Sequence, residues 1–253
     1  MCGRYVMARA VGDLLADFDA ALDEQVMDDV ELPPSWNVAP TDDVPIVLER
    51  LIDGAAVRQL HVARWGLVPS WAKDPGIGSR MINARSESVL EKPAFRKAIL
   101  SRRCAVPADG YYEWKKGPGK ARQPYYVHPQ HGDSLAFAGL YEWWKNPAVA
   151  EGEPGRWLLS TAILTADTPP PGAESSVFAK LTELHDRVPL PMTQATMAAW
   201  LDPRADDPGA LVDLVTSGVQ EAAAHWHVES VGTAVGNVRN NGPALIEPVQ
   251  ALF

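Results

Sequence analysis

From Arg103 to Ala166 the chain passes through a succession of strand-like segments: RCAVPA, YYEWKK, QPYYVHP, LAFAGLYEWW and RWLLSTAILTA. They are rich in β-branched, aromatic and small apolar residues, which suit a pleated, half-buried surface. GPGKARQ turns the second into the third, and NPAVAEGEPG makes a surface loop between the last two. Upstream, VPIVLERLIDGAAVRQLHVARWG reads as two more strands around an Asp53-Gly54 turn. Helices are interspersed without a regular βαβ alternation. The expected class is α+β, with a mostly antiparallel, barrel-like sheet flanked by helices.

Val11, Leu14, Leu15, Phe18 and Leu22 recur at helical spacing and predict an amphipathic helix over 11–24. A second helix is expected to start at Pro93, a favoured first-turn residue, and to run through PAFRKAILSRR with Phe95, Ile99 and Leu100 inward. Residues 193–201 and about 208–217 read as helices, the latter stopped by Gly218. HWHVESV reads as a short late strand. ELPPSWNVAPTDDVP and PSWAKDPGIGSR are rich in Pro and Gly and read as loops. No repeat or break in composition divides the chain, so a single domain over 1–250 is expected.

The formal net charge is −9, unfavourable at first sight for a nucleic-acid partner. The distribution changes that reading. Between Arg58 and Arg122 fourteen Lys and Arg face five Asp and Glu, so nearly all the acid lies elsewhere. Such a split suits one basic face on an acidic body, unless folding scatters these charges over opposite sides. No apolar run approaches the roughly 18 residues of a membrane span. Asp13, Asp17 and Asp19 come too early for a signal peptide, which leaves the cytoplasm as the expected address. The two cysteines make neither a disulfide framework nor a CxxC metal site, and nothing signals an organic cofactor. Cys104, inside RCAVPA, reads as a buried strand residue.

Cys2 is different, because it is one trimming step from the N-terminus. Either it is incidental in a frayed end, or removal of Met1 leaves an α-amine and a thiol on adjacent carbons. That amine, with a pKa of about 7.7–8.0, is partly neutral near pH 7. It condenses with an aldehyde to an imine, and the neighbouring sulfur closes a thiazolidine ring. An internal cysteine has no free amine with which to do this.

The blocks MCGRY, WNVAPT (36–41), WGLVPSWAKD (65–74), INARSES (82–88), KPAFRKAILSRRCAVPADGYYEW (92–114), LHDRVP (184–189) and AVGNVRNNGPALIEP resemble, in order and spacing, the SRAP family of abasic-site processing proteins. This family is also called SOS-response-associated peptidases. The resemblance implies a monomer that binds single-stranded DNA at an abasic site. Its N-terminal Cys links covalently to the sugar aldehyde as a thiazolidine. β-Elimination is a natural side reaction, and self-removal of the first residue has been suggested. The family's central positions fall on Cys2, Asn83, Glu113 and His185.

Roles follow from chemistry. Glu113, flanked by Tyr111, Tyr112 and Trp114, is placed to take a proton from the Cys2 ammonium and return it to the departing hydroxyl. His185 would help open the closed sugar. Asn83 both donates and accepts, which suits holding Cys2 or the sugar. Arg4 and Arg85 would fork onto phosphates, and Asn37 would line the lesion pocket. Trp71 resembles the family's stacking aromatic, although its neighbours Ser70 and Ala72 replace a second aromatic often found there. Trp65 and Trp114 are expected in the core. The remaining histidines, His61, His128, His131, His225 and His227, are read as structural or surface residues.

Two rivals stand beside this reading. An N-terminal-nucleophile amidohydrolase of the class II glutamine amidotransferase kind would explain the MCG opening but not the charge-separated middle. A Cys2–His185 peptidase would use the same two residues as nucleophile and base.

Overall fold

Two sheets share the core, and one of them closes on itself. The structure, a computed structural model, describes residues 2–22, 32–130, 132–170 and 176–253. In chain order the strands are β1 (Tyr5–Met7), β2 (Ala21–Leu22), β3 (Ser35–Val38), β4 (Asp43–Ile52), β5 (Ala55–Trp65), β6 (Asn83–Arg85), β7 (Arg103–Ala108), β8 (Gly110–Lys116), β9 (Arg122–Pro129), β10 (Leu135–Lys145), β11 (Trp157–Asp167), β12 (Arg187–Pro189) and β13 (Trp226–Ser230). The helices are α1 (Val11–Asp17), α2 (Ala98–Ser101), α3 (Ser176–Leu184), α4 (Gln194–Leu201), α5 (Pro208–Ser217) and α6 (Val219–Ala222).

The ring runs β5-β4-β7-β10-β11 through antiparallel neighbours. It closes where β11 returns to β5 in parallel, pairing Ser160 with Arg64 and Thr161 with Trp65. The hairpin joining β4 to β5 turns at Asp53 (φ 51°) and Gly54 (φ 80°). Two successive left-handed residues match the twist of the flanking strands. The second sheet is antiparallel throughout, in the order β13-β9-β8-β1-β3. Its inner face packs on the ring. The rings of Tyr5 and Trp65 meet edge to face at 5.1 Å, and Tyr111 meets Phe137 and Trp226 in the same way. This seam carries Cys2, just ahead of β1, into the interior between the sheets.

A close backbone crossing sets the other side of that interior. Gly66 ends the ring strand at φ 130°, and a Cβ there would lie 2.6 Å from the Gly78 carbonyl oxygen. Only glycine fits such an approach. The crossing lets Leu67 donate to Met81 and aligns β6 in parallel beside β11, with Asn83 opposite Ile163.

Several sequence expectations need correction. The first helix stops at Asp17, and positions 23 and 24 of the expected span lie outside the described residues. Asp19 takes φ 47°, with Ala20 N–H donating to Leu15 and Asp19 N–H to Ala16. This left-handed end satisfies the last carbonyls. The loop expected around WNVAP contains β3, because its backbone pairs with β1. The helix expected from Pro93 has only one regular turn, α2. Arg102 (φ −121°, ψ 62°) leaves the helix so that Arg103 can enter β7. Phe95, Ala98 and Ile99 form the buried stripe, and Leu100, about 100° round from Ile99, is exposed. The helix expected over 208–217 does end at Ser217 with Gly218 as its C-cap, although Gly218 stays at φ −73° and also opens α6. Cys104 is fully buried on β7, as expected.

Candidate active site

Cys2 is fully buried, and its carbonyl oxygen accepts a 2.7 Å hydrogen bond from Asn83 Nδ2. Burial pushes the thiol well above its ordinary range, and the Glu113 charge pushes it further, against a lowering hydrogen bond from the Arg4 backbone. The sulfur therefore keeps its proton at rest. The backbone brings Glu113 near: β8 runs antiparallel beside β1, with Tyr5 opposite Tyr111 and the Tyr112 N–H donating to the Arg4 carbonyl, so Glu113 falls alongside the start of the chain. Glu113 is buried on β8, in register with Tyr125 of β9. Tyr111 and Tyr5 sit on the same inner face, and burial holds both phenols un-ionised.

Glu113 also lines an open cleft of about 710 Å³ together with His185 and Arg85. His185 follows α3, and its ring is about one third exposed. Nδ1 lies 3.0 Å from the Arg187 backbone N–H and 2.7 Å from Asp186 Oδ1. The first contact needs a lone pair and the second a proton, so they belong to alternative forms of the ring. Asp186 is 88% exposed, and an ion pair with so exposed a partner is weak. The neutral ring that accepts from Arg187 keeps its proton on Nε2.

Arg187 fixes this wall. Its buried guanidinium donates to Asp167 at 2.7 Å, to Glu87 at 2.9 Å and to the Thr165 carbonyl at 2.7 Å. Burial raises Glu87, but the Arg187 hydrogen bond and the remaining contacts outweigh it and hold this carboxyl below its ordinary value. Arg187 thus joins the ends of β6 and β11 to the histidine.

Asn83 holds Cys2 directly, and Glu113 lies on β8, the strand paired with β1. Glu113, His185 and Arg85 share the cleft. The other three candidates lie outside its lining. Trp71 is 55% exposed on a loop anchored by a 2.7 Å bond from Trp144 Nε1 to the Ala72 carbonyl. Arg4 donates to Asn37 Oδ1 at 2.8 Å and to the Val235 carbonyl at 2.9 Å. Asn37 is buried and gives its amide protons to the carbonyls of Val235, Asn237 and Asn240. Its hydrogen-bonding capacity is spent on the protein.

Trp114, expected in the core, is instead half-buried. It lines the cleft, with the Arg4 guanidinium 6.0 Å from its ring centre. Lys115, Lys116 and Arg122 also line the cleft. The basic run following Glu113 was the signal for them. Nothing in LHDRVP announced that Arg187 would be a buried tie. Trp65 is fully buried. None of the described histidines other than His185 lines this cleft, and His131 lies outside the described residues. No cluster of three or more His, Cys, Asp or Glu able to hold a metal ion occurs among the described residues. No helix among them is long and apolar enough to cross a membrane.

The fold is α+β with one sheet closed into a ring, and its candidate site joins a buried second-position cysteine to a cleft lined by a buried carboxylate. The chain belongs to the SRAP (SOS response associated peptidase) family, whose model matches residues 1–238. It is 37% identical over 247 residues to the abasic site processing protein YoqW of Bacillus subtilis, covering 98% of this chain and 99% of that one. It is 29% identical to the abasic site processing protein YedK of Escherichia coli, covering 98% and 100%. Among solved structures, a protein of Bacteroides thetaiotaomicron shares the fold with a TM-score of 0.76 at 22% identity, covering 98% and 100%.

Proposed function

We propose that this chain processes abasic sites in single-stranded DNA by covalent capture at Cys2. The observation that carries the reading is the Asn83 hold on the buried Cys2, with the buried Glu113 of the adjoining strand lining a cleft that has basic side chains on its walls. Once Met1 is removed, Glu113 takes a proton from the Cys2 ammonium. The neutral amine adds to the sugar C1 aldehyde, and Glu113 returns a proton to the hydroxyl that leaves as water. The thiol then adds to the imine carbon, its proton ends on the nitrogen, and the thiazolidine closes. Asn83 holds the Cys2 carbonyl throughout. Its Oδ1, buried and without a partner among the described residues, is an acceptor for the uncovered amine.

In its protonated form His185 gives a proton to the ring oxygen of the closed sugar and takes back the C1 hydroxyl proton as the bond between C1 and the ring oxygen breaks, so the aldehyde is exposed and the imidazolium restored. Arg85 takes a flanking phosphate, and Trp71 stacks on a base, an interaction worth roughly 1–3 kcal/mol. Asn37 serves this surface by holding Arg4 and the turn over 235–240. An imine that persists before ring closure acidifies the adjacent C2 hydrogen, so slow strand cleavage by β-elimination accompanies capture. Processed protein mixed with abasic single-stranded DNA should give a species that survives denaturation. Cys2→Ala should abolish it. Glutamine hydrolysis with no such species would support the amidotransferase alternative.

A further inference from the structure

Two cavities meet at one ion pair. The cleft and a neighbouring pocket of about 530 Å³ share Lys115, Glu183 and Leu184 as a common wall. Lys115 Nζ donates to Glu183 Oε2 at 2.8 Å across that wall. Lys115 stands two residues after Glu113 on β8, and Glu183 two residues before His185 on α3, so both reacting groups flank the junction. The pocket continues between α3 and the β9–β13 edge, past Tyr125 and Lys180. Tyr125 pairs with Glu113 in register, which sets its ring on the same face of the sheet.

The two side chains of the pair are 34% and 63% exposed. An ion pair this exposed is weak, so breaking it costs little. Glu229 also lines this pocket but is turned to His128 Nε2 at 3.4 Å. A lysine with an exchangeable anion, a second lysine and a half-buried phenol, set along one groove, match a single-stranded nucleic acid: two phosphates and one base face.

We propose that the strand held at the cleft by its lesion continues past this ion pair into the second pocket. Lys115 exchanges Glu183 for a backbone phosphate, Lys180 takes another, and Tyr125 stacks on a base. Glu183 is then an acidic gate that occupies Lys115 until a strand displaces it. This inference rests on the reading of abasic single-stranded DNA as the substrate.

The test measures binding of abasic oligonucleotides lengthened on the 5′ or the 3′ side of the lesion, across a salt series. Lengthening on one side only should strengthen wild-type binding about tenfold. Lys180→Ala should remove most of that gain and make the slope of log K against log salt shallower by about 0.7, the share of one phosphate on a single strand. Tyr125→Ala should weaken binding about fivefold or more. Glu183→Gln should tighten it about threefold, because the competing anion is gone. Equal gains on both sides, or Lys180→Ala within twofold of wild type with an unchanged slope, would overturn the inference while covalent capture still occurs. Lys180-dependent binding of a polyglutamate peptide, with strand length making no difference, would overturn it too. A wild-type protein that forms no adduct with any of these oligonucleotides would instead defeat the underlying reading.

Discussion

The Asn83 side-chain amide donates to the Cys2 carbonyl oxygen at 2.7 Å. This bond ties the start of the chain to β6, which itself joins the ring in parallel beside β11. Residues 81 positions apart in sequence are thereby held together. Asn83→Asp keeps the shape but removes the donor. It should lower the rate of adduct formation by about 10- to 100-fold, as expected when a reacting group drifts by about 1 Å. The loss in stability should be only about 1 kcal/mol. Single-turnover gels and denaturant melts separate the two effects.

The crossing of Gly66 and Gly78 should tolerate no side chain. Gly66→Ala places a Cβ 2.6 Å from the Gly78 carbonyl oxygen at a φ of 130°. We expect a loss of about 2–3 kcal/mol. Adduct formation should slow as well, because Asn83 lies five residues beyond Gly78. The urea midpoint and the adduct rate, measured on the same preparation, check both parts.

Stability should fall at both ends of the pH scale, for opposite reasons. Burial pushes the Cys104 thiol from 9.0 up to about 12, and the Thr161 hydrogen bond offsets it only in part. The unfolded thiol ionises first. Its contribution is therefore whole below pH 9 and lost as the pH climbs towards 12. Tyr5 and Tyr111, raised by burial, act in the same direction. Glu87 is lowered overall, so its contribution is present above 4.5 and lost as the pH falls. In urea titrations across pH, Cys104→Ala should flatten the alkaline limb and Glu87→Gln the acid limb.

Arg103 is buried and donates to the carbonyls of Trp200, Ile99, Leu100 and Asp202 at 2.7–3.1 Å. It binds the ends of α2 and α4 to β7. Arg103→Met should cost about 3 kcal/mol or more, because several carbonyls lose a charged donor. Arg103→Lys should recover less than half, since an ammonium lacks the planar fork. The guanidinium chloride midpoint should shift with little change in slope.

Much of this molecule was legible in local pattern. The segments from Arg103 to Ala166 showed their composition and turns plainly, and Asp53-Gly54 named its own hairpin. The barrel-like sheet expected from the run of strands is present as the ring, but which strands close it was not legible, because the parallel pairing of β11 with β5 leaves no signal in either strand alone. WNVAP was read as loop because β3 is short and bounded by proline, yet its partner β1 makes it a strand. Asp19 ends α1 through a left-handed residue that apolar spacing does not encode. Within the site, Cys2 was visible from its place directly behind Met1, whereas Asn83, Glu113 and His185 came from the resemblance to the SRAP family. That Asn37 would be consumed by three carbonyls and Arg4 depended on how the turn over 235–240 folds back, which no spacing reveals.

Intact mass spectrometry of the protein after reaction with a short abasic oligonucleotide tests the central claim most directly. The account predicts a polypeptide lacking Met1 that gains the oligonucleotide mass less one water, with the link mapped to Cys2 and absent in Cys2→Ser. An adduct on protein that retains Met1, or one mapped to any other residue, would contradict it.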